Sequence, residues 1–428
     1  MGKGCLAMES SSNTIKNFYP HPVTGKVDDS FVGIKISGNN IHFYFPETYR
    51  FDANSRDVRN DVIALIRTIA IAKTVSTDVS RAYNSHNKDG DFALLSYLWV
   101  INDFLANGFY INREKIYKTN QAGRIDWKRT MRSQPIVSNG NIIYPSFTVE
   151  VKNTADNILV EIHKFCVKKS IDFIGWLFNL DSSFIEPTPY NNSIKTLYLD
   201  TLRKELDRTF DDDKRLRLTH LRNVITGLDE NTNTKEFVYG VDSYYYIFER
   251  MIDSIFGNVK NIRDFYPKAK WQLVRNSYME TPSSELRPDT IILDGTNVYI
   301  LDSKFYRFGF TGDEGDLPET TSIQKQITYG DYIKQNVTRY NVENIYNAFL
   351  IPYDKEREVF HSDADIQYVG FAKSTWKDNT HNHEYIHTFL IDLKHVVKTW
   401  NRLNHSEDVS LLIDEIQRHN EEIKQLIE

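Results

Sequence analysis

The segment Arg287-Pro-Asp-Thr-Ile-Ile-Leu-Asp-Gly-Thr-Asn-Val-Tyr-Ile-Leu-Asp-Ser-Lys304 carries two carboxylates and one amine at the base of a β-hairpin pattern. Residues 290–293 and 298–301 are almost continuously apolar, turned at Asp294-Gly295, which predicts two strands inside a sheet. Side chains alternate along a strand, so Asp302 and Lys304 share a face while Ser303 points away. The first strand runs back antiparallel, so Asp289 at its start lies beside Asp302. Two acids and an amine at one sheet end suit phosphodiester hydrolysis. Carboxylates hold Mg²⁺, which keeps several waters and accepts phosphate oxygens. Bound Mg²⁺ lowers the pKa of water and offsets developing charge, and a nearby Lys steadies the water or the transition state. The backbone carbonyl of Ser303 is a further candidate ligand. Each piece alone is commonplace, since Pro-Asp opens many turns and Asp-Xaa-Lys ends many solvated strands. Their combination across a buried hairpin of suitable length points to a nuclease site.

Two flanking helices supply more candidates. Glu249 falls on a helical pattern over residues 241–256 and stands to complete a metal site, ahead of Asp242, Glu236 and Asp253. A surface glutamate paired with a neighbour is the plain reading of the same residue. Gln326 opens a helix predicted over 322–336 and can bond a phosphate, a water or Asp302. Lys325 beside it can touch a DNA backbone or simply decorate a polar face.

These residues need a scaffold. A hairpin is expected over 31–49 around Gly38-Asn39-Asn40, then helices at 58–74 and 91–109, a strand at 141–151 and a helix at 154–169. A proline-broken loop over 181–193 and helices over 194–226 follow, and residues 227–234 read as a linker. Beyond it come the 241–256 helix, a strand at 271–275, the hairpin, the 322–336 helix and a strand at 346–351. Apolar residues in the tail from Val409 form an amphipathic helix. The class expected is α/β (α+β): a mixed sheet flanked by helices over 235–400, an N-terminal α+β region over 31–230 for recognition or accessory work, a flexible leader over 1–30 and a terminal helix over 406–428.

The residues Pro288-Asp289…Asp302-Ser303-Lys304 resemble the signature of the PD-(D/E)xK nuclease superfamily. More closely, the chain resembles the LlaJI family of restriction endonucleases from about residue 30 onward. The likeness lies in Gly123-Arg-Ile-Asp-Trp-Lys-Arg-Thr130, Glu161-Ile-His-Lys-Phe-Cys166, the hairpin and the Lys325-Gln326 helix. It implies a prokaryotic, cytoplasmic restriction system in which Mg²⁺-dependent cleavage of foreign double-stranded DNA is paired with a cognate methyltransferase. Some related systems set such a nuclease beside an AAA+ GTPase of the McrB type, which would make this chain a McrC-like subunit. The sequence shows no Gly-rich phosphate loop, so such a motor would be a separate protein. Cutting both strands calls for two active sites, hence a homodimer or a larger complex. A rival of another class is a DNA-binding or assembly subunit that has lost catalysis, against which the intact Asp/Asp/Lys set argues.

The bulk numbers bound the rest. At 428 residues the chain exceeds one ordinary core, and a net charge of −6 gives no global pull on nucleic acid. A local pull exists: Arg113, Lys115, Lys118, Arg124, Lys128, Arg129 and Arg132 meet only Glu114 and Asp126. Arg124, Trp127, Lys128, Arg129 and Arg132 are therefore candidates for DNA contact, against the usual reading of a solvated face. With only Cys5 and Cys166, a disulfide framework and a zinc-cysteine site are excluded, and Cys166 reads as a core residue. No run approaches the ~20 apolar residues of a membrane span. His381, His383 and His387 lie in a polar setting and are expected to be solvated.

Overall fold

The structure is a computed structural model that describes residues 6–8, 16–26, 28–37, 39–51, 55–75, 88–110, 115–120, 122–138, 141–152, 158–227, 237–259, 261–274, 284–360 and 362–427. The 227–234 linker beyond Gly227, Arg113, Cys5 and most of residues 1–15 lie outside that description.

The hairpin forms as Thr290–Asp294 and Asn297–Ser303, with Thr290 opposite Leu301. It begins a five-stranded sheet that continues through Asn344–Tyr353, Tyr385–Asp392 and Ile366–Lys373. The two central pairings are parallel and the outer ones antiparallel. A parallel return needs a crossover, here supplied by the helix Thr320–Asn336 between Asn297–Ser303 and Asn344–Tyr353. Both faces are covered, which explains the unbroken apolar run. Ile291, Val298 and Ile300 pack with Tyr329 and Ile333 of the crossover helix. Ile292, Tyr299 and Leu301 face the opposite way, into a core shared with Met251 and Ile252 of the helix Tyr244–Phe256 and with Leu412 and Ile416 of the helix Ser406–Ile427.

A second five-stranded sheet orders Leu6–Met8, Lys16–Val23, Asn40–Pro46, Val32–Ser37 and Phe237–Val241. The helices Ser55–Val75, Lys88–Asn107, Ile158–Ile174, Asn192–Arg208 and Asp212–Thr226 accompany it. One continuous apolar cluster runs from this sheet through the helices to the inner face of the first sheet. Polar ties cross the same boundary. Lys394 meets Asp61 at 3.0 Å in a buried ion pair, and the Tyr49 hydroxyl donates to Asp61 at 3.1 Å. Arg307 grips both oxygens of Glu47 at 2.5 and 3.3 Å.

Several expectations are corrected. Residues 16–23, expected in a loose leader, form a strand paired in parallel with Asn40–Pro46, and Phe18 is fully buried. Pro20 and Pro22 had hidden it, because proline disqualifies most strand patterns. Thr290–Asp294 is an edge strand, not an interior one; the helices covering it produce the same apolar signal. Among the described residues 271–274 no strand forms, and the local pairing is Lys268–Ala269 with Ser284–Glu285; residue 275 lies outside the description. Residues 141–151 split into Asn141–Ile143 and Thr148–Lys152, which join different small sheets. The strands Ile366–Lys373 and Tyr385–Asp392 were not anticipated. His383 and His387 are buried, at 2% and 0% exposure, because His383 sits in the short 3-10 turn Asn382–Glu384 against the crossover helix and His387 lies in the strand Tyr385–Asp392.

Candidate active site

The hairpin register sets the first contact. Asp289 precedes Thr290, the partner of Leu301, so its carboxylate reaches the next rung and accepts the Ser303 backbone N–H at 2.9 Å. Asp302, 1% exposed, lies on the face turned to the crossover helix. There Lys304 forms an ion pair with one of its oxygens, and Lys325 approaches the other at 3.7 Å. The strand end is itself pinned, because Lys304 N–H donates to the Leu350 carbonyl at 2.9 Å.

Gln326 follows Lys325 and is fully buried, with both atoms of its side-chain amide lacking any hydrogen-bond partner. The Ser303 hydroxyl is in the same condition. Buried unpaired amides are rare because each costs about 1–3 kcal/mol. Two carboxylates on neighbouring strand ends, one preceding Ser303 with its unpaired hydroxyl and the other accepting the Ser303 N–H, are a donor set suited to a hydrated divalent cation, so the residues present fit Mg²⁺.

Glu249 reaches the same sheet end from the helix on the opposite face. Burial, then the charges of Asp289 and Asp302, push its pKa up to about 8. Burial and Asp302 likewise raise Asp289 to about 7, against the Ser303 N–H that holds it down. Burial opposes the charge on Lys304, but Asp302 beside it wins and lifts its pKa. The two raised carboxyls give a stability prediction. Each contributes fully below the ordinary carboxylate range near ~4 and loses that contribution as pH rises through its folded pKa. In EDTA the melting temperature should therefore fall between pH 5 and pH 8. Added Mg²⁺ or Ca²⁺ should raise it more at pH 8 than at pH 5. Metal shifts of equal size at both pH values would show that the cluster does not bind the ion.

Three positioning contacts were invisible in the sequence. The Tyr329 hydroxyl donates to the Arg287 carbonyl at 2.7 Å and so anchors the Pro288-Asp289 turn. Asn347, fully buried in the sheet, donates to the Gln326 carbonyl at 3.0 Å and to the His383 carbonyl at 2.5 Å. Gly330 lets the crossover helix lie directly on the His383 ring. No periodicity reports a contact to a carbonyl from a remote strand, so none could be foreseen.

Other candidates fall elsewhere. Arg124 lies in the short strand Arg124–Ile125, while Trp127, Lys128 and Arg129 form the turn of helix Trp127–Thr130, and Arg132 follows it. All five are exposed. They belong to the small sheet of Arg124–Ile125 and the short helix after it, inserted in sequence between two bundle helices and separate from the sheet that carries Asp289, Asp302 and Lys304. Arg129 is partly committed already, stacked 3.5 Å over the Tyr117 ring and 3.4 Å from Asp126. Cys166 is buried, and burial pushes its thiol pKa up, away from nucleophilic use. Asp331, His383 and Glu384 offer ligand atoms within 4.8 Å of one another. Lys377 already sits 2.8 Å from Asp331 and 3.0 Å from Glu384, so an ammonium supplies the positive charge there.

The profile of the LlaJI restriction endonucleases matches residues 31–416, most of the chain. This protein belongs to the LlaJI restriction endonuclease family. No curated relative matches this LlaJI-family chain. Among solved structures, it is similar to a chain of the tetradecameric assembly of Thermococcus gammatolerans McrB AAA+ hexamers with bound McrC, at 15% identity and a TM-score of 0.39. That alignment covers 89% of this chain and 83% of that one. A chain of the Thermococcus gammatolerans McrBC complex aligns at 18% identity and a TM-score of 0.26, covering 52% and 64%. The family membership rests on the profile match. Within it, Glu161 and His163 of the Glu161–Cys166 segment are scaffold: the Tyr198 hydroxyl donates to Glu161 at 2.7 Å, and buried His163 accepts the Tyr110 N–H at 3.2 Å.

Proposed function

We propose that this restriction endonuclease cleaves double-stranded DNA with Mg²⁺ at a PD-(D/E)xK-type site formed by Asp289, Asp302 and Lys304. The observation that carries the reading is the convergence of those three groups with Glu249 and Lys325 at one sheet end. Asp289, Asp302 and the Ser303 carbonyl would hold the ion, with Glu249 and Gln326 beside them. When bound, Mg²⁺ supplies a water of lowered pKa and offsets charge on the phosphate. Lys304, freed from Asp302, orients the attacking water or steadies the phosphate oxygens. Glu249, its pKa close to neutral, is placed to accept a proton. Lys325 holds the DNA backbone at the same end.

The test is plasmid cleavage by the purified chain, with Mg²⁺ or EDTA, on unmethylated and methylated DNA. Mg²⁺-dependent cutting of unmethylated DNA supports an autonomous enzyme protected against by a methyltransferase. Cutting only when an AAA+ GTPase and GTP are added supports the McrC-like arrangement. A chain inert under every condition would be a non-catalytic subunit, and the reading would fail.

DNA contact by Arg124, Lys128, Arg129, Arg132 and Trp127 belongs to the same proposal. Replacing both Arg124 and Lys128 by Ala should lower the slope of log affinity against log salt by about two. An unchanged slope in a filter-binding titration would remove the segment from the DNA interface.

A further inference from the structure

A cleft of about 730 Å³ opens beside the catalytic group, between the N-terminal sheet and the helix Tyr244–Phe256. Glu249, Ser303 and Lys304 form its inner end. One wall comes from the N-terminal sheet and its loops, including Gly25 and Ser30, and the other from Tyr245 and the Phe305-Tyr306 turn. Tyr245, with one side of its ring against Tyr246 at 4.1 Å, is 41% exposed, and Tyr306 is 36% exposed, so each leaves part of its aromatic surface open. The walls are held together: Glu47 clamps Arg307, and Phe305 packs edge-on to Tyr244 and Phe248 at 5.7 and 5.5 Å.

Resting on the nuclease reading above, we infer that this cleft receives one unpaired nucleoside next to the scissile phosphate, stacked on Tyr245 and Tyr306. Two observations carry the inference. The first is size: 730 Å³ lies in the ~300–1,000 Å³ range of small-ligand pockets, which admits a nucleotide or two but no duplex segment. The second is charge. Lys304 is the one cation among the described lining residues, and Asp242 and Glu249 oppose it. A run of phosphates would find no counter-charges along such a wall. A neutral, flat base and sugar need none, and a single phosphate is left at the Lys304 end. Aromatic faces take any base, because every base has a π-face. Drawing a nucleotide from the duplex costs least where pairing is already broken.

The test measures binding in Ca²⁺ with a hairpin duplex bearing one bulged 2-aminopurine, against the same hairpin fully paired. The wild-type chain should bind the bulged probe about tenfold more tightly and quench its fluorescence. Replacing Tyr245 and Tyr306 together by Ala should abolish the preference, while the double Phe variant should keep it, since stacking needs the ring and not the hydroxyl. Equal binding of the two probes, or an unchanged double-Ala variant, would overturn the assignment. Free dAMP competing as well as the bulged hairpin would make this a free-nucleotide site and overturn the strand assignment too. Plasmid cleavage distinguishes the two levels: cutting without a bulge preference sinks only this inference, and no cutting under any condition, with an AAA+ GTPase and GTP included, sinks the nuclease reading.

Discussion

Asp302→Ala should reduce DNA cleavage by about a thousandfold or more while leaving the chain folded and able to bind DNA. Asp302 is the most buried acid of the cluster and meets Lys304 and Lys325 on its two oxygens. Loss of one preorganised charge-stabilising group typically costs about a hundred- to a thousandfold in rate, and this residue is also a proposed metal ligand. The fold should survive, because Lys304 and Lys325 are 14% and 34% exposed and can turn toward water once their partner is gone. Removing one negative charge also relieves Asp289 and Glu249, whose pKa values are raised first by burial and then in part by its repulsion. Calorimetric titration with Mn²⁺ should lose its high-affinity binding, while the melting temperature should move by only a few degrees. A variant that still cuts at the wild-type rate would rule the site out.

Gly330→Ala should impair both stability and cleavage from a position with no chemistry of its own. A Cβ there would lie 2.3 Å from Cδ2 of His383, 2.5 Å from Cγ and 2.7 Å from Cβ, all nearer than real atoms approach. The ring cannot easily yield. Its Nε2 faces Asp331 at 3.0 Å, and the His383 carbonyl accepts from Asn347. The crossover helix must therefore lift, and it carries Lys325 and Gln326 about one turn away. Overpacking of this kind costs about 1–3 kcal/mol, a drop of several degrees in melting temperature. Activity should fall at least about tenfold, because displacements near 1 Å cost far more in rate than in stability. Adding His383→Ala should remove the two ring contacts, though not the one to Cβ, and so recover part of both losses. Wild-type melting and cleavage in the single variant would contradict the packing.

Parts of the fold were legible from particular patterns. The 3.6-residue spacing over 58–74, 322–336 and the tail corresponds to the helices Ser55–Val75, Thr320–Asn336 and Ser406–Ile427. The hairpin expected over 31–49 was legible too, with Ser37 opposite Asn40. What failed had local causes. Prolines masked Lys16–Val23. A polar stretch over 377–384 carries no strand periodicity into Tyr385–Asp392, whose eight residues are all buried. Phe237–Val241 reads as the start of a new unit after a linker, yet it pairs with Val32–Ser37 some two hundred residues earlier.

By itself the sequence determined that Asp289, Asp302 and Lys304 meet, because a two-residue turn and the period-two alternation of a strand leave no other register once both strands are buried. Tertiary structure alone decided what surrounds them. Glu249 arrives from a helix on one face, Gln326 and Lys325 from a crossover on the other, and the cleft wall from a sheet built largely before residue 50. Those placements depend on parallel pairing and helix docking between segments far apart in the chain. Burial rewards such contacts, but burial looks the same in a sequence whichever distant partner provides it.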